Sequence, residues 1–61
     1  MIDVTLINGQ IMSLNDDLIE TVQETPDTVI SLTTGRKVIV KESRQQIKEL
    51  VTRARREIHI P

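Results

Sequence analysis

The chain has 61 residues, a single histidine, no cysteine, and no phenylalanine, tyrosine or tryptophan. The lack of cysteine excludes disulfide bonds and leaves almost no way to build a zinc site. The core must therefore consist of isoleucine, leucine, valine and methionine, in a chain that buries only about 60% of its surface on folding. Because such small cores give little stability, we expect a homo-oligomer.

The net charge of −1 conceals two halves of opposite charge. Residues 1–34 contain six acidic residues and no lysine or arginine, whereas residues 35–61 contain eight basic and three acidic residues. Such halves attract each other within one fold or between copies. No apolar run approaches the roughly 20 residues that span a bilayer, and Met1 leads into a strand pattern and not into a signal sequence. We therefore expect a soluble cytoplasmic protein without membrane insertion.

The first predicted element is a β-hairpin. Apolar and polar residues alternate from Ile2 to Leu6, which is the period of a half-buried strand. Asn8-Gly9 then predicts a two-residue loop, because both residues tolerate positive φ. With this loop Leu6 faces Ile11, and both faces of the hairpin carry apolar side chains. Either the loop is longer and shifts the register, or the helix covers one face and another chain covers the other.

A polar turn follows at residues 15–17, where Asn15 or Asp16 caps a single helical turn. The adjacent acids Asp16 and Asp17 lack the further oxygen ligands of a calcium loop. The next segment, from Leu18 to Glu24, fits a strand at about 19–24, with a short helix as the competing interpretation.

A second hairpin is predicted after this strand. Pro26 and Asp27 make a tight connection into a β-branched, alternating strand at 28–32. Gly35 supplies the positive φ that turns the chain into a strand at 37–41. A two-residue loop sets the predicted cross-strand pairs, which are Ser31 with Val38, Ile30 with Ile39, and Val29 with Val40.

The last predicted element is a helix at about 44–57. Ser43 and Gln46 form a capping-box pattern, and Glu42 places negative charge near the positive end of the helix dipole. A single apolar stripe follows the helical period; it consists of Ile47, Leu50, Val51, Ala54 and Ile58. The tail from Ile58 to Pro61 either frays or adds a short extended contact.

These elements predict one α+β domain over residues 1–61. Its sheet is small, curved, barrel-like and mostly antiparallel, and one amphipathic helix at the C-terminus packs on it. The predicted strands, about five in number, lie at 2–6, 10–14, 19–24, 28–32 and 37–41.

No residue pattern indicates catalysis. His59 has no cysteine to activate, the serines lack the glycine-flanked turn of a nucleophile, and the two glycines lie in separate turns. We predict no enzyme activity, no cofactor and no metal site. The basic cluster of Arg53, Arg55 and Arg56 is the candidate partner-binding site. Without aromatic side chains to stack on bases, a protein contact or a solvated helix face is favoured over nucleic acid.

Five short motifs, taken in order and spacing, resemble one family over roughly residues 1–52. They are Ile7-Asn8-Gly9, Leu14-Asn15-x-Asp17-Leu18-Ile19-Glu20, Thr25-Pro26-Asp27-Thr28, Leu32-Thr33-x-Gly35 and Val40-x-Glu42-Ser43. The sequence is similar to the FlbD/SwrD family of small flagellar proteins. This resemblance implies a non-enzymatic cytoplasmic protein that supports swarming by increasing flagellar motor power through protein–protein contacts. Motor or stator components are the implied partners.

The family has no catalytic residues to carry over. The matched positions are mainly turn and cap residues that have structural reasons to be present: Asn8, Gly9, Pro26, Asp27, Gly35 and Ser43. Relatives often carry an aromatic residue where this chain has Val38, so an aromatic contact on that face is not expected here. The alternative is a small nucleic-acid-binding regulator, similar to the carbon-storage regulator or LytTR-type domains in its strands followed by a helix. The purely acidic charge of the first four strands disfavours it.

Overall fold

The computed structural model describes residues 1–58, and the side chains of residues 1–56. Five strands precede one helix: β1 (Ile2–Thr5), β2 (Ile11–Leu14), β3 (Ile19–Glu24), β4 (Thr28–Leu32), β5 (Lys37–Val40) and α1 (Arg44–Ile58). Each element lies within one residue, at either end, of its predicted range. The competing helix interpretation for residues 18–24 was wrong. The interpretations of His59 and of the tail to Pro61 lie outside the described residues.

The strands form two antiparallel sheets that meet at one point. One sheet contains β1 and β2, and the other has the order β3-β4-β5. An isolated bridge between Leu6 and Val40 joins them, and the Lys41 N–H donates to the Thr5 carbonyl at 2.8 Å beside it. The strand path is therefore β2-β1-β5-β4-β3. The α+β class is confirmed, whereas the barrel-like single sheet was wrong, because the sheets do not close on each other within the described residues.

The β1–β2 and β4–β5 hairpins have three-residue loops, each one residue longer than predicted. In the first, the Leu6 N–H donates to the Gln10 carbonyl at 2.8 Å and the Gly9 N–H donates to the Leu6 carbonyl at 2.9 Å. Gly9 has a φ of 93°, and the second loop repeats these contacts and ends on Gly35 with a φ of 92°. A three-residue hairpin loop requires its last residue in this left-handed region, which glycine adopts without strain.

The longer loops shift each register by one residue and move side chains to the opposite face. Thr5, and not Leu6, faces Ile11, and Val38 replaces Ile39 as the partner of Ile30. The predicted pairs were therefore wrong, and the alternative of a longer first loop is confirmed. The shift gathers the apolar side chains on the inner faces, where they form one core: Ile2, Val4, Leu14, Ile30, Leu32, Val38, Val40 and Ile47.

Helix α1 begins with the predicted capping box. The Ser43 N–H donates to Gln46 Oε1 at 2.8 Å, and the Gln46 N–H donates back to Ser43 Oγ at 3.1 Å. These bonds satisfy two backbone donors that a helix start leaves unpaired. The Arg44 N–H donates to a Glu24 carboxylate oxygen at 2.8 Å, which fixes the helix start beside β3. The apolar stripe then places the buried Ile47 in the core.

Candidate functional site

The structure separates the three arginines that the sequence groups together. Arg53 and Arg56 lie on the exposed face of α1, along a shallow depression that Gln45 and Thr52 also line. Arg55 lies on the side that faces β3. Helical residues advance by about 100°, so positions three apart share a face and neighbouring positions do not. The predicted cluster is therefore two surfaces of one helix.

The residues predicted as turns and caps lie in three loops and at the start of α1. Asn8 Oδ1 accepts from the Gln10 N–H at 3.0 Å inside the first loop. Pro26 follows a cis peptide bond in the connection between β3 and β4, and Asp27 accepts from the Thr25 N–H at 3.1 Å. Together with Gly9, Gly35 and Ser43, they position strands and the helix, and they do not gather at one site.

Asp16 is a buried carboxylate that the sequence did not distinguish from its exposed neighbour Asp17. Asn15 caps the 3-10 turn at Asp16–Leu18, and this turn directs Asp16 inward. Its Oδ1 accepts from the N-terminal ammonium group of Met1 at 2.6 Å, and its Oδ2 lies 3.8 Å from Nε of Arg55. The hydrogen bond from the ammonium group lowers the pKa of Asp16, and burial opposes this only in part. No described residue donates a hydrogen bond to Oδ2.

A groove of about 260 Å³ lies between α1 and β3, and Asp16 closes one part of it. The groove has apolar walls from both elements, namely Ile19, Val22, Ile47 and Val51. Its cationic residues come from the helix and are Arg44, Lys48 and Arg55. A second depression continues from Val22 to Thr25 along the same strand. We call this surface the α1–β3 groove; sequence reasoning missed it because its walls lie more than 20 residues apart in the chain.

Glu42 joins the two sheets at the start of the helix. Its carboxylate oxygens accept from the Thr5 N–H at 2.8 and 3.0 Å. Burial raises the pKa of Glu42, but the hydrogen bonds from Thr5 and from the backbone of Glu42 together outweigh it, so the pKa lies below its ordinary value of 4.5. The sequence predicted only a dipole role for this charge. The structure gives it a partner 37 residues away.

Two isoleucines leave an apolar patch on the outside of the molecule. Ile7 is 50% exposed and Ile39 is 46% exposed. They are neighbours, because the Ile7 N–H donates to the Ile39 carbonyl at 3.3 Å. Ile11 is also exposed, on the outer face of the first hairpin. Val29, the cross-strand partner of Ile39, lies on the same face, so the hairpins keep some apolar side chains on their outer faces after the register shift.

Within the described residues, no group of three or more histidine, cysteine, aspartate or glutamate side chains is arranged to hold a metal ion. None of the described helices has the length and apolar character needed to cross a membrane. The described part of the chain is a small α+β domain with an exposed apolar patch, arginines on the exposed face of its helix, and the α1–β3 groove.

The comparisons with known proteins identify the family. A family model for FlbD, described as flagellar and swarming motility proteins, matches residues 1–59. The chain belongs to this family, and the resemblance read from its motifs is confirmed. No curated protein and no solved structure matches the chain.

Proposed function

We propose that this protein is a non-enzymatic cytoplasmic protein that supports swarming by increasing the power of the flagellar motor through protein–protein contacts. The observation that carries the proposal is the family match over residues 1–59, which supports a role in flagellar and swarming motility. The exposed surfaces support the mode of action. A domain with an exposed apolar patch and a cationic helix face is suited to bind other proteins.

Motor or stator components are the partners that we propose. Arg53 and Arg56, on the exposed face of α1, are candidate contact residues for them, and Arg55 is a separate candidate because it lies in the α1–β3 groove. Arginine is enriched among the residues that dominate protein interfaces, because its planar group makes several directed hydrogen bonds.

We expect that Arg53→Ala with Arg56→Ala reduces motor power when the variant replaces the native protein in swarming cells. Each lost interface arginine weakens binding by about tenfold if it is a dominant contact. The measurements are swarm expansion and the torque of tethered cells, at matched protein levels. The control is Arg36→Ala with Lys37→Ala, which removes two cations from β5 and the loop before it.

The outcomes distinguish a wrong assignment of the contact residues from a wrong function. Native torque in the Arg53/Arg56 variant contradicts the assignment of these residues. Native torque in cells that lack the protein altogether contradicts the proposed function itself.

We also propose that the protein is a homo-oligomer that buries Ile7 and Ile39 between copies. Exposed apolar pairs of this kind are typical of the centre of a contact. Light scattering across a dilution series is expected to give a defined multiple of 7.0 kDa. Ile7→Gln with Ile39→Gln is expected to give the monomer mass, whereas Leu18→Gln, at an exposed residue of the 3-10 turn, leaves the mass unchanged. A native protein that is monomeric at all concentrations contradicts the proposal.

A further inference from the structure

The α1–β3 groove combines a free sheet edge, apolar walls and cations in one place. We propose that it binds an extended segment of a partner protein that carries aliphatic and acidic side chains on the same face, and that this segment adds a strand to β3. The inference gives the protein contacts proposed above a defined location, and in that respect it rests on the proposed function.

The backbone of β3 supplies the first part of the site. β3 is the terminal strand of its sheet, and among the described residues it pairs only with β4. In an antiparallel pair, the backbone groups of alternate residues point toward the partner strand, and those of the residues between them point away. The Thr25 N–H bonds to the Asp27 carbonyl at the end of this ladder. By alternation Gln23 also points toward β4, so Val22 and Glu24 present their N–H and C=O groups to an added strand.

The side chains of the groove supply the apolar part. Val22 and Ile19 line it from the strand, and Ile47 and Val51 line it from the helix. Because side chains of an extended chain alternate between two faces, an added strand directs every second side chain toward this apolar wall. A volume of about 260 Å³ suits aliphatic side chains, and the intervening side chains of the added strand point to the opposite face of the sheet, toward the solvent.

The charges of the groove select acidic residues. Arg44, Lys48 and Arg55 contribute three cations from one side of α1. The acids beside them are already engaged, because Glu24 accepts from the Arg44 N–H and Asp16 Oδ1 accepts from the Met1 ammonium group. A segment that carries carboxylates among the side chains directed toward α1 therefore complements the helix side of the groove.

Asp16, at one end of the groove, has a carboxylate oxygen that lacks a hydrogen-bond donor within the described part of the chain. Its side chain is almost fully buried, yet Oδ2 has no hydrogen-bond donor among the described residues. The Arg55 side chain, which is 62% exposed, has its Nε 3.8 Å from this oxygen. A buried acceptor without a donor is unfavourable. A segment bound at this end of the groove would hold the Arg55 side chain in place, so that it can donate a hydrogen bond to Asp16 Oδ2.

A second copy of this chain is a poor occupant. Symmetric antiparallel pairing of two β3 strands about Val22 places Glu20 opposite Glu24 of the second copy. Like charges directly opposite each other destabilise strand pairing, and natural edge strands use charges in this way to prevent self-association. The occupant is therefore a different chain, and we place the contact between copies elsewhere, at Ile7 and Ile39.

Titration of the isotope-labelled protein with a blocked peptide tests the site by NMR. Valine and glutamate take turns at every second position of this peptide and serine occupies the positions between, so that valine and glutamate share one face of the added strand. We expect the amide signals of Val22, Glu24 and Lys48 to shift most. A peptide with lysine at the glutamate positions is expected to bind at least about tenfold more weakly. Lys48→Glu with Arg55→Glu is expected to weaken binding of the glutamate peptide by at least about tenfold, whereas Arg36→Glu with Lys37→Glu leaves it unchanged.

A second probe leaves the protein unaltered, so it does not depend on whether the charge variants fold. N-methylation of alternate residues along one edge of the glutamate peptide removes the N–H groups that pair with β3, and binding is expected to be lost. N-methylation along the other edge is expected to preserve binding. Equal binding of the two N-methylated peptides, or of the glutamate and lysine peptides, or shifts confined to other surfaces, overturns the inference. None of these results bears on motor torque, so they are distinguishable from a failure of the proposed function.

Discussion

Replacing Ile30 with alanine is expected to lower the free energy of unfolding by about 3 kcal/mol. Ile30 lies in the central strand of the three-stranded sheet and has no exposed surface. Truncating a buried isoleucine costs about 2–5 kcal/mol, because transfer energy is lost and a cavity is left. A domain of 61 residues has a total of only about 3–9 kcal/mol, so a large fraction of the variant unfolds. Urea denaturation followed by circular dichroism measures the change.

Ile39→Ala is the matched control for this experiment, and the pair tests the register of the second hairpin. Ile39 lies one strand away and is about half exposed in the monomer. Its truncation, measured at a protein concentration at which light scattering gives the monomer mass, is therefore expected to cost less than about 1 kcal/mol. In the register predicted from the sequence, Ile30 and Ile39 face each other on one side of the sheet. In the observed register, Ile30 points inward and pairs with Val38. Equal losses for the two variants contradict the observed register.

Replacing Glu42 with alanine is expected to lower the free energy of unfolding by about 2 kcal/mol, because the hydrogen bonds of a half-buried carboxylate are lost and their backbone donor is left unpaired. The Thr5 N–H loses its acceptor, and β1 loses one of its links to the segment after β5. Thermal unfolding and the protection of the Thr5 amide from hydrogen exchange measure the effect. Glu49→Ala, at an exposed acidic residue of α1, is the control and is expected to change stability by less than about 0.5 kcal/mol. Native protection at Thr5 in the Glu42 variant contradicts the assignment.

The charge of Glu42 also predicts a pH dependence. Its pKa in the folded protein lies below the ordinary value of 4.5. The unfolded chain therefore binds the proton more tightly, and the stability due to ionised Glu42 is fully present above pH 4.5 and is lost as the pH falls through the folded pKa. Glu42→Gln removes this term and leaves other carboxylates, including Asp16, unchanged. We expect native protein and variant to differ most near neutral pH and to converge below pH 4.5. A difference that is independent of pH contradicts a role for the charge.

The sequence predicted the type and order of the elements well because these depend on local signals. The alternation in β1 and β4, the stripe from Ile47 to Ala54, and the capping box at Ser43 each report on neighbours within a few residues. The loop lengths were mispredicted by one residue, because Asn8-Gly9 and Thr34-Gly35 fit a two-residue loop as well as the last two residues of a three-residue loop. That single residue decided which apolar side chains lie inside.

The candidate site was predicted less well than the fold. Arg53, Arg55 and Arg56 are adjacent in sequence, but the helical rotation separates Arg55 from the other two. The α1–β3 groove required knowledge that the last helix lies beside β3, which no local pattern encodes.

The sequence by itself therefore determined the class of fold, the order of its strands and helix, and the flagellar family, because periodicity, turn residues and motif spacing are properties of the chain. Only the tertiary structure decided the registers, the open path β2-β1-β5-β4-β3, and the burial of Asp16 beside the exposed Asp17. It also decided that Glu42 accepts hydrogen bonds from Thr5 and that the cationic α1–β3 groove runs along the edge strand β3. These features arise from contacts between residues far apart in the chain, where the packing of one shared core selects among local arrangements of similar free energy.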